Sequence, residues 1–131
     1  MYENIRPGLT GEAGLVVAEE NTARHLGSGG VDVLATPELV RLVEQAAVAA
    51  VDPHLPAGIA TVGAVVEIQH LAPTPVGMRV EARAELVAVE GRRLTFAVEA
   101  SDEREVVGRG RHERVIVDLE RFRQRLSAKR A

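Results

Sequence analysis

The most informative stretch of the chain is residues 36–51, which read TPELVRLVEQAAVAAV. Its Thr-Pro-Glu start supplies a capping hydroxyl, a residue suited to the first helical position and a carboxylate for the positive end of the helix dipole. The predicted helix ends near residue 51 because a proline follows at position 53. Its second half, residues 46–51, is apolar on every side, which is typical of a buried helix.

Strand patterns lie on both sides of this helix. One precedes it at residues 13–19, and four follow it at residues 61–70, 78–89, 92–100 and 106–118. Short polar turns connect the last three strands, which predicts an antiparallel meander. A short helix is expected at residues 119–128. In the strand at 61–70, alternation predicts that five side chains share one face: Val62, Ala64, Val66, Ile68 and His70.

This order of elements predicts an α+β fold. One apolar helix covered by a curled antiparallel sheet is the hot-dog architecture, and the main rival is an α+β roll with a different strand order. A sheet that wraps one helix leaves edges and an open flank, so a homodimer is expected. The 131 residues are expected to form a single domain, residues 1–131.

The composition argues against several classes of function. The chain has 20 Val and 19 Ala but only three aromatic residues and no Cys, which excludes disulfides, thiolate metal sites and a cysteine nucleophile. The scarcity of aromatic residues and the net charge of −3 argue against a nucleic-acid partner. No apolar run approaches about 18 residues, so no membrane span is expected. Residues 1–10 lack a signal pattern, and a cytoplasmic protein is expected.

Histidine spacing gives no indication of a metal site. None of the four His residues pairs with another His or an acid at helical ligand spacing, and no cofactor is expected. In the strand at 106–118, Gly108 and Gly110 share a face with His112. Glycines inside a strand permit close approach of a helix or a ligand.

Two titratable residues are candidates for chemistry, and each has a plainer alternative. His70 ends a strand on its apolar face, just before a Pro-rich segment, where an imidazole can exchange protons near neutral pH. The alternative is a histidine that bonds a loop carbonyl. Glu44 has apolar neighbours on the helix, which favours partial desolvation of its carboxylate. The alternative is a surface glutamate paired with Arg41.

Thr36 has two interpretations that are compatible. Its hydroxyl can cap the helix, and the same hydroxyl and the first N–H groups of the helix can face a developing negative charge. Thr36 and Glu44 are eight residues apart, about 12 Å along one helix axis. A site that uses both residues must therefore be elongated or be shared between subunits.

Several segments, in this order and spacing, resemble the fluoroacetyl-CoA-thioesterase-like family of hot-dog proteins. The resemblance extends from about residue 6 to residue 123. The segments that carry it are Thr22–Leu26, Thr36–Glu44, His70 with its Pro-rich sequel, Val89–Leu94, Gly108–Arg114 and Leu119–Phe122.

The resemblance implies site residues and a partner. By matching position it implies that Thr36, Glu44 and His70 are the catalytic set, that Gly63 belongs to the acyl pocket and that Arg114 binds substrate. It also implies a homodimer with sites at the subunit interface and an acyl-CoA substrate. One segment departs from the family pattern: residues 27–35 contain no aromatic residue, whereas Phe residues there gate the pocket of fluoroacetate-handling members. This departure argues against fluoroacetyl selectivity.

Three functions follow as hypotheses. The first is hydrolysis of a short-chain acyl-CoA or related acyl thioester, with Glu44 either attacking the carbonyl directly or activating water together with His70. The second is a non-catalytic module that binds acyl-CoA or another small ligand in the same pocket. The third is a hydratase of enoyl thioesters, although the Asp–His motif usual in such enzymes is not found.

Overall fold

The computed structural model describes residues 2–131, which form a five-stranded antiparallel sheet and three α-helices. The strand order is β1-β3-β4-β5-β2, so β1 and β2 are the two edges of the sheet. The elements are β1 (Thr10–Val16), α1 (Ala23–Leu26), α2 (Thr36–Val51), β2 (Ile59–His70), β3 (Arg79–Glu90), β4 (Arg93–Asp102), β5 (Val106–Asp118) and α3 (Leu119–Arg130).

Helix α2 lies against the sheet, mainly over β1 and β3, and its apolar side chains form the centre of the core. The approach of β1 is very close. A Cβ added at Gly11 would lie 2.2 Å from the carbonyl oxygen of Ala46 and 2.4 Å from the backbone nitrogen of Ala50. The small residues of the helix and the glycine of the strand therefore allow the two backbones to touch, which explains the alanine-rich second half of α2.

We expect Gly11→Ala to lower the free energy of unfolding by about 3 kcal/mol, because the added methyl group would meet backbone atoms that cannot rotate away. Gly30→Ala is the matched control, since a Cβ there would have no atom within 4 Å. Its effect should stay within about 0.5 kcal/mol. Urea unfolding of both variants measures the difference, and equal midpoints would contradict the close packing of β1 on α2.

The first strand lies three residues earlier than predicted, at 10–16 instead of 13–19. The apolar run at residues 15–18 suggested the later boundaries. Pairing with β3 begins at Thr10 opposite Glu85, and a 3-10 turn at Glu19–Asn21 ends the extended chain. Gly11 and Gly14 lie within this strand, at positions where neighbouring atoms of α2 and β3 leave no room for a side chain.

A β-bulge in β2 changes which side chains face the helix. Gly63 pairs with Arg114 and Val65 pairs with Glu113, so Ala64 is an extra residue in the ladder. The prediction that Val62 and Ala64 share the face of His70 is therefore wrong. The helix-facing positions are instead Thr61, Gly63, Val66, Ile68 and His70.

The C-terminal helix α3 starts at the predicted residue and extends to Arg130. Asp118 caps it by accepting hydrogen bonds from the backbone N–H groups of Glu120 and Arg121. None of its residues is buried. No helix within residues 2–131 combines the length and the apolar character that crossing a bilayer would require.

Candidate active site

Thr36 and His70 form a direct pair where the start of α2 meets the end of β2. The Thr36 Oγ1 and His70 Nδ1 atoms are 2.8 Å apart. The predicted capping role of Thr36 is wrong, because the helix is capped one residue earlier, at Ala35, and the Thr36 hydroxyl makes no cap hydrogen bond. Starting the helix at Thr36 frees this hydroxyl for the imidazole.

The other ring nitrogen of His70 is available. Among the buried side-chain nitrogen and oxygen atoms of residues 2–131, only His70 Nε2 lacks a hydrogen-bond partner. Burial lowers the pKa of His70 and outweighs the backbone of Ala72, which raises it. The neutral ring that results carries one proton, so one of its nitrogens donates and the other accepts. If Nδ1–H donates to Thr36, Nε2 is a base, and if the hydroxyl donates to Nδ1, Nε2 carries the proton.

A cavity of about 350 Å³ opens next to this pair. The segment 28–34 lines one side and residues 71–73 line the other, and Thr36 and His70 also belong to the lining. Apart from the hydroxyls of Ser28 and Thr36 and the imidazole of His70, its lining is aliphatic and contains no Phe, Tyr or Trp. The volume falls in the range of ordinary small-molecule sites, which is about 300–1,000 Å³.

The segment 27–35 is held in place by several hydrogen bonds. Arg24 donates to the Asp32 carboxylate at 2.8 Å and to the Gly30 carbonyl at 3.0 Å. The backbone N–H of Leu34 donates to the carbonyl of Thr74, which lies in the Pro-rich segment after His70. The two sides of the cavity are therefore tied to each other.

Glu44 lies further along α2 and pairs with Arg114 of β5. The Glu44 Oε2 and Arg114 Nη1 atoms are 3.4 Å apart, and the two side chains are 41% and 7% exposed. The alternative partner, Arg41, contacts Glu38 instead. The Glu44 carboxylate is thus partly exposed, and the Arg114 guanidinium beside it is buried.

Arg114 is held by buried polar groups that the sequence analysis did not identify as a set. Its Nε donates to Thr61 Oγ1 at 2.8 Å, and its Nη2 donates to the Thr61 carbonyl at 3.0 Å. Its Nη1 lies 3.1 Å from His112 Nε2. Burial lowers the pKa of Arg114, while the charges of Asp52 and Glu44 raise it. Asp52 also accepts a hydrogen bond from the Thr61 hydroxyl at 2.6 Å.

Gly63 lies directly opposite Glu44. A Cβ at this position would lie 2.7 Å from Glu44 Oε2 and 3.4 Å from Arg114 Nη1. Only glycine therefore leaves the carboxylate its present place. The predicted site residues accordingly form two groups within one chain: Thr36 with His70, and Glu44 with Gly63 and Arg114.

Comparison with known proteins assigns the family. Residues 17–120 match the family described as FlK, fluoroacetyl-CoA-specific thioesterase. The chain belongs to this family. A curated relative from Streptantibioticus cattleyicolor, named fluoroacetyl-CoA thioesterase, is 36% identical over 135 residues, covering 98% of this chain and 97% of the relative.

Solved structures agree with this membership of the fluoroacetyl-CoA-specific thioesterase family. A variant of FlK in complex with acetyl-CoA has a TM-score of 0.88 and 36% identity, over 95% of this chain and 98% of that chain. A hot-dog-like protein from Thermanaerovibrio acidaminovorans has a TM-score of 0.89 and 26% identity, over 97% and 94%. The predicted hot-dog fold, the resemblance to this family and the thioesterase class of enzyme are confirmed.

Proposed function

We propose that this chain hydrolyses short-chain acyl-CoA thioesters to the free acid and CoA, with Thr36, Glu44 and His70 as its catalytic residues. The observation that carries the proposal is the Thr36–His70 pair in the lining of the cavity, with the buried Nε2 left unpaired. The relative from Streptantibioticus cattleyicolor is named fluoroacetyl-CoA thioesterase, and this name supports a substrate with a short acyl group.

The chemistry needs a nucleophile and a donor for the oxyanion. Oxygen from water or from the Glu44 carboxylate adds to the thioester carbonyl, the carbon–sulfur bond then breaks, and CoA leaves as a thiolate. In the water route, Glu44 or His70 takes the proton of the water; in the direct route, water later hydrolyses the acyl–Glu44 anhydride. Both routes use the Glu44 carboxylate, whose Oε2 lies 3.4 Å from Arg114 Nη1.

The start of α2 offers the Thr36 hydroxyl as the oxyanion donor. Pro37 has no N–H, and the N–H groups of Glu38 and Leu39 already donate to the Ala35 carbonyl. A hydroxyl that stabilises the developing negative charge, or positions the reacting carbonyl, fits this place. Arg114 acts through Glu44 rather than on the substrate, because each of its three nitrogens already has a protein partner. Gly63 leaves the room in which the Glu44 carboxylate lies, because a Cβ at this position would lie 2.7 Å from Glu44 Oε2.

The complete site is shared between two subunits of a homodimer. Within one chain, Thr36 and Glu44 are eight residues apart on α2, about 12 Å along the axis. Strand β2 is an edge of the sheet, with β5 as its neighbour in the sheet. Antiparallel pairing of two β2 edges about a twofold axis brings the end of one β2, with His70, beside the start of the other, where Glu44 lies over Gly63. Thr36 and His70 of one protomer then face Glu44 of the partner subunit.

Release of free CoA from acetyl-, propionyl- and butyryl-CoA tests the proposal. We expect turnover with at least one of them. Calorimetry with the same compounds identifies the alternative, a non-catalytic acyl-CoA module, by tight binding without CoA release. Hydration of crotonyl-CoA without thioester cleavage would instead indicate a hydratase. Either result would overturn the assignment as a hydrolase.

The aliphatic lining predicts that a residue of the 27–35 segment controls acyl-chain length. Val33→Phe should lower kcat/KM for butyryl-CoA by about tenfold or more and change that for acetyl-CoA little, because one methylene is worth about 1–3 kcal/mol in an apolar pocket. Val87→Phe, at a position on β3 that is 46% exposed and outside the cavity lining, is the control. An equal loss for both substrates would show that this cavity does not hold the acyl chain.

A further inference from the structure

His112 lies behind the Glu44–Arg114 pair and has no role in the chemistry proposed above. The residue is fully buried in β5, and its ring stacks on Phe96 of β4 with the ring centroids 6.1 Å apart. Its Nδ1 is 2.7 Å from the Val65 carbonyl oxygen at the bulge of β2, and its Nε2 is 3.1 Å from Arg114 Nη1. Both ring nitrogens therefore have a partner.

These partners determine where the proton of the ring lies. A carbonyl oxygen can only accept, so Nδ1 carries the hydrogen and donates it to Val65. A guanidinium can only donate, so Nε2 is unprotonated and accepts from Arg114. Burial lowers the pKa of His112, and the charge of Arg114 lowers it further. The Val65 carbonyl and the charge of Glu44 raise the pKa, but the effect of burial is the largest. The neutral ring is thus the form that the site favours.

His112 contacts Nη1 of Arg114, and this is the guanidinium nitrogen that faces the Glu44 carboxylate. Arg114 Nη1 contacts both His112 Nε2 and Glu44 Oε2, while Nε and Nη2 are bound to Thr61. The contact between Nη1 and Glu44 is long, at 3.4 Å, so a small rotation of the guanidinium would break it. Because the guanidinium is planar, its two bonds to Thr61 and the acceptor supplied by His112 together set the orientation of Nη1, and loss of the His112 acceptor removes one of these three constraints.

We propose that His112 is a positioning residue, which holds Glu44 in place by fixing the Arg114 guanidinium through its unprotonated Nε2. The proposal rests on the catalytic role of Glu44 and adds to it a buried residue of the final strand. His112 itself does not touch the substrate.

Two substitutions separate this role from a structural one. His112→Gln keeps an acceptor near the position of Nε2, and His112→Asn keeps a donor near the position of Nδ1. We expect His112→Asn to lower kcat by about 100-fold, with KM changed by no more than about twofold, because misplacing a catalytic group by about 1 Å costs about that much. His112→Gln should keep kcat within about threefold of the wild type.

The reverse order would overturn the proposal. If His112 serves only to hold the bulge through Val65, His112→Asn will retain activity and His112→Gln will lose it. Unfolding midpoints show whether each variant is folded. Should His112→Asn fail to fold, His112→Gln still decides, since a loss of kcat greater than about tenfold in a folded His112→Gln protein contradicts the acceptor role.

A double-substitution cycle separates failure of this inference from failure of the proposed function. In a Glu44→Gln background, His112→Asn should lower kcat no further, because it acts through Glu44. Multiplying effects would overturn the positioning role while leaving Glu44 as a catalytic residue. A Glu44→Gln protein with full activity would instead overturn the proposed function of Glu44, on which the inference depends.

Discussion

His70→Asn is expected to lower kcat by about 10²- to 10⁴-fold, the range that a positioned acid–base group contributes. The asparagine amide can occupy the place of Nδ1 and keep the contact with Thr36, whereas nothing replaces the unpaired Nε2. The loss therefore reports on Nε2 and not on the start of the helix. Steady-state release of CoA measures the effect, and His25→Asn, at an exposed position, is the control. A His70→Asn protein with full activity would contradict the role of His70.

The lowered pKa of His70 predicts where kcat/KM falls on the acid side of its pH profile. Burial lowers the pKa of His70 below the ordinary value of 6.5, so in the free enzyme the neutral base persists at pH values below 6.5. As pH falls through this lowered pKa, the ring becomes protonated and kcat/KM should fall. The midpoint of the limb is therefore expected below pH 6.5, and the limb should be absent from the residual activity of His70→Asn. A midpoint above 6.5 would contradict a desolvated His70.

Glu44→Gln is expected to lower kcat by about 10³-fold, because an amide can neither attack the thioester nor accept a proton from water. The isosteric amide oxygen can still accept from Arg114 Nη1, so the arrangement of Arg114, Thr61 and His112 should persist. Binding of a non-hydrolysable thioether analogue of acetyl-CoA should stay within about threefold of the wild type. The loss then lies in the chemical step.

A matched carboxylate controls for charge. Glu99→Gln removes a carboxylate of β4 whose side chain is 50% exposed and which pairs with Arg109, and it should leave kcat unchanged. Equal activities of the Glu44→Gln and Glu99→Gln proteins would show that Glu44 has no catalytic role. Loss of analogue binding by Glu44→Gln would show that the carboxylate contributes to binding rather than to the reaction.

The sequence predicted the elements that depend on local patterns. Helix α2 has the predicted bounds, 36–51, because a Pro near its start, a Pro after its end and an apolar second half specify it locally. Strand β5 also has the predicted bounds, 106–118. The first strand was misplaced because the apolar run at residues 15–18 suggested later bounds, whereas Gly11 lies in the strand against α2, a contact that no local pattern reveals.

The site was predicted only in part, because local patterns do not reveal contacts between distant segments. Thr36 and His70 meet where predicted helix α2 begins and predicted strand β2 ends, and family resemblance pointed to both. Thr61 and the positioning role of His112 were missed. The bulge at Ala64 reverses the facing of Thr61, and a bulge is defined by pairing with a distant strand. Alternation in β5 does place His112 on the face of Arg114, and this was the available signal.

We propose that Thr36 and His70 of one protomer act with Glu44 of the partner subunit. The measurement that tests it most directly is the activity of a co-expressed mixture of the Glu44→Gln and His70→Asn proteins, each nearly inactive alone. In a shared site, each mixed dimer contains one site with both residues intact, so the mixture should recover about one quarter of wild-type activity. If both residues act within one chain, every site carries a lesion, and a mixture no more active than its components would contradict the account.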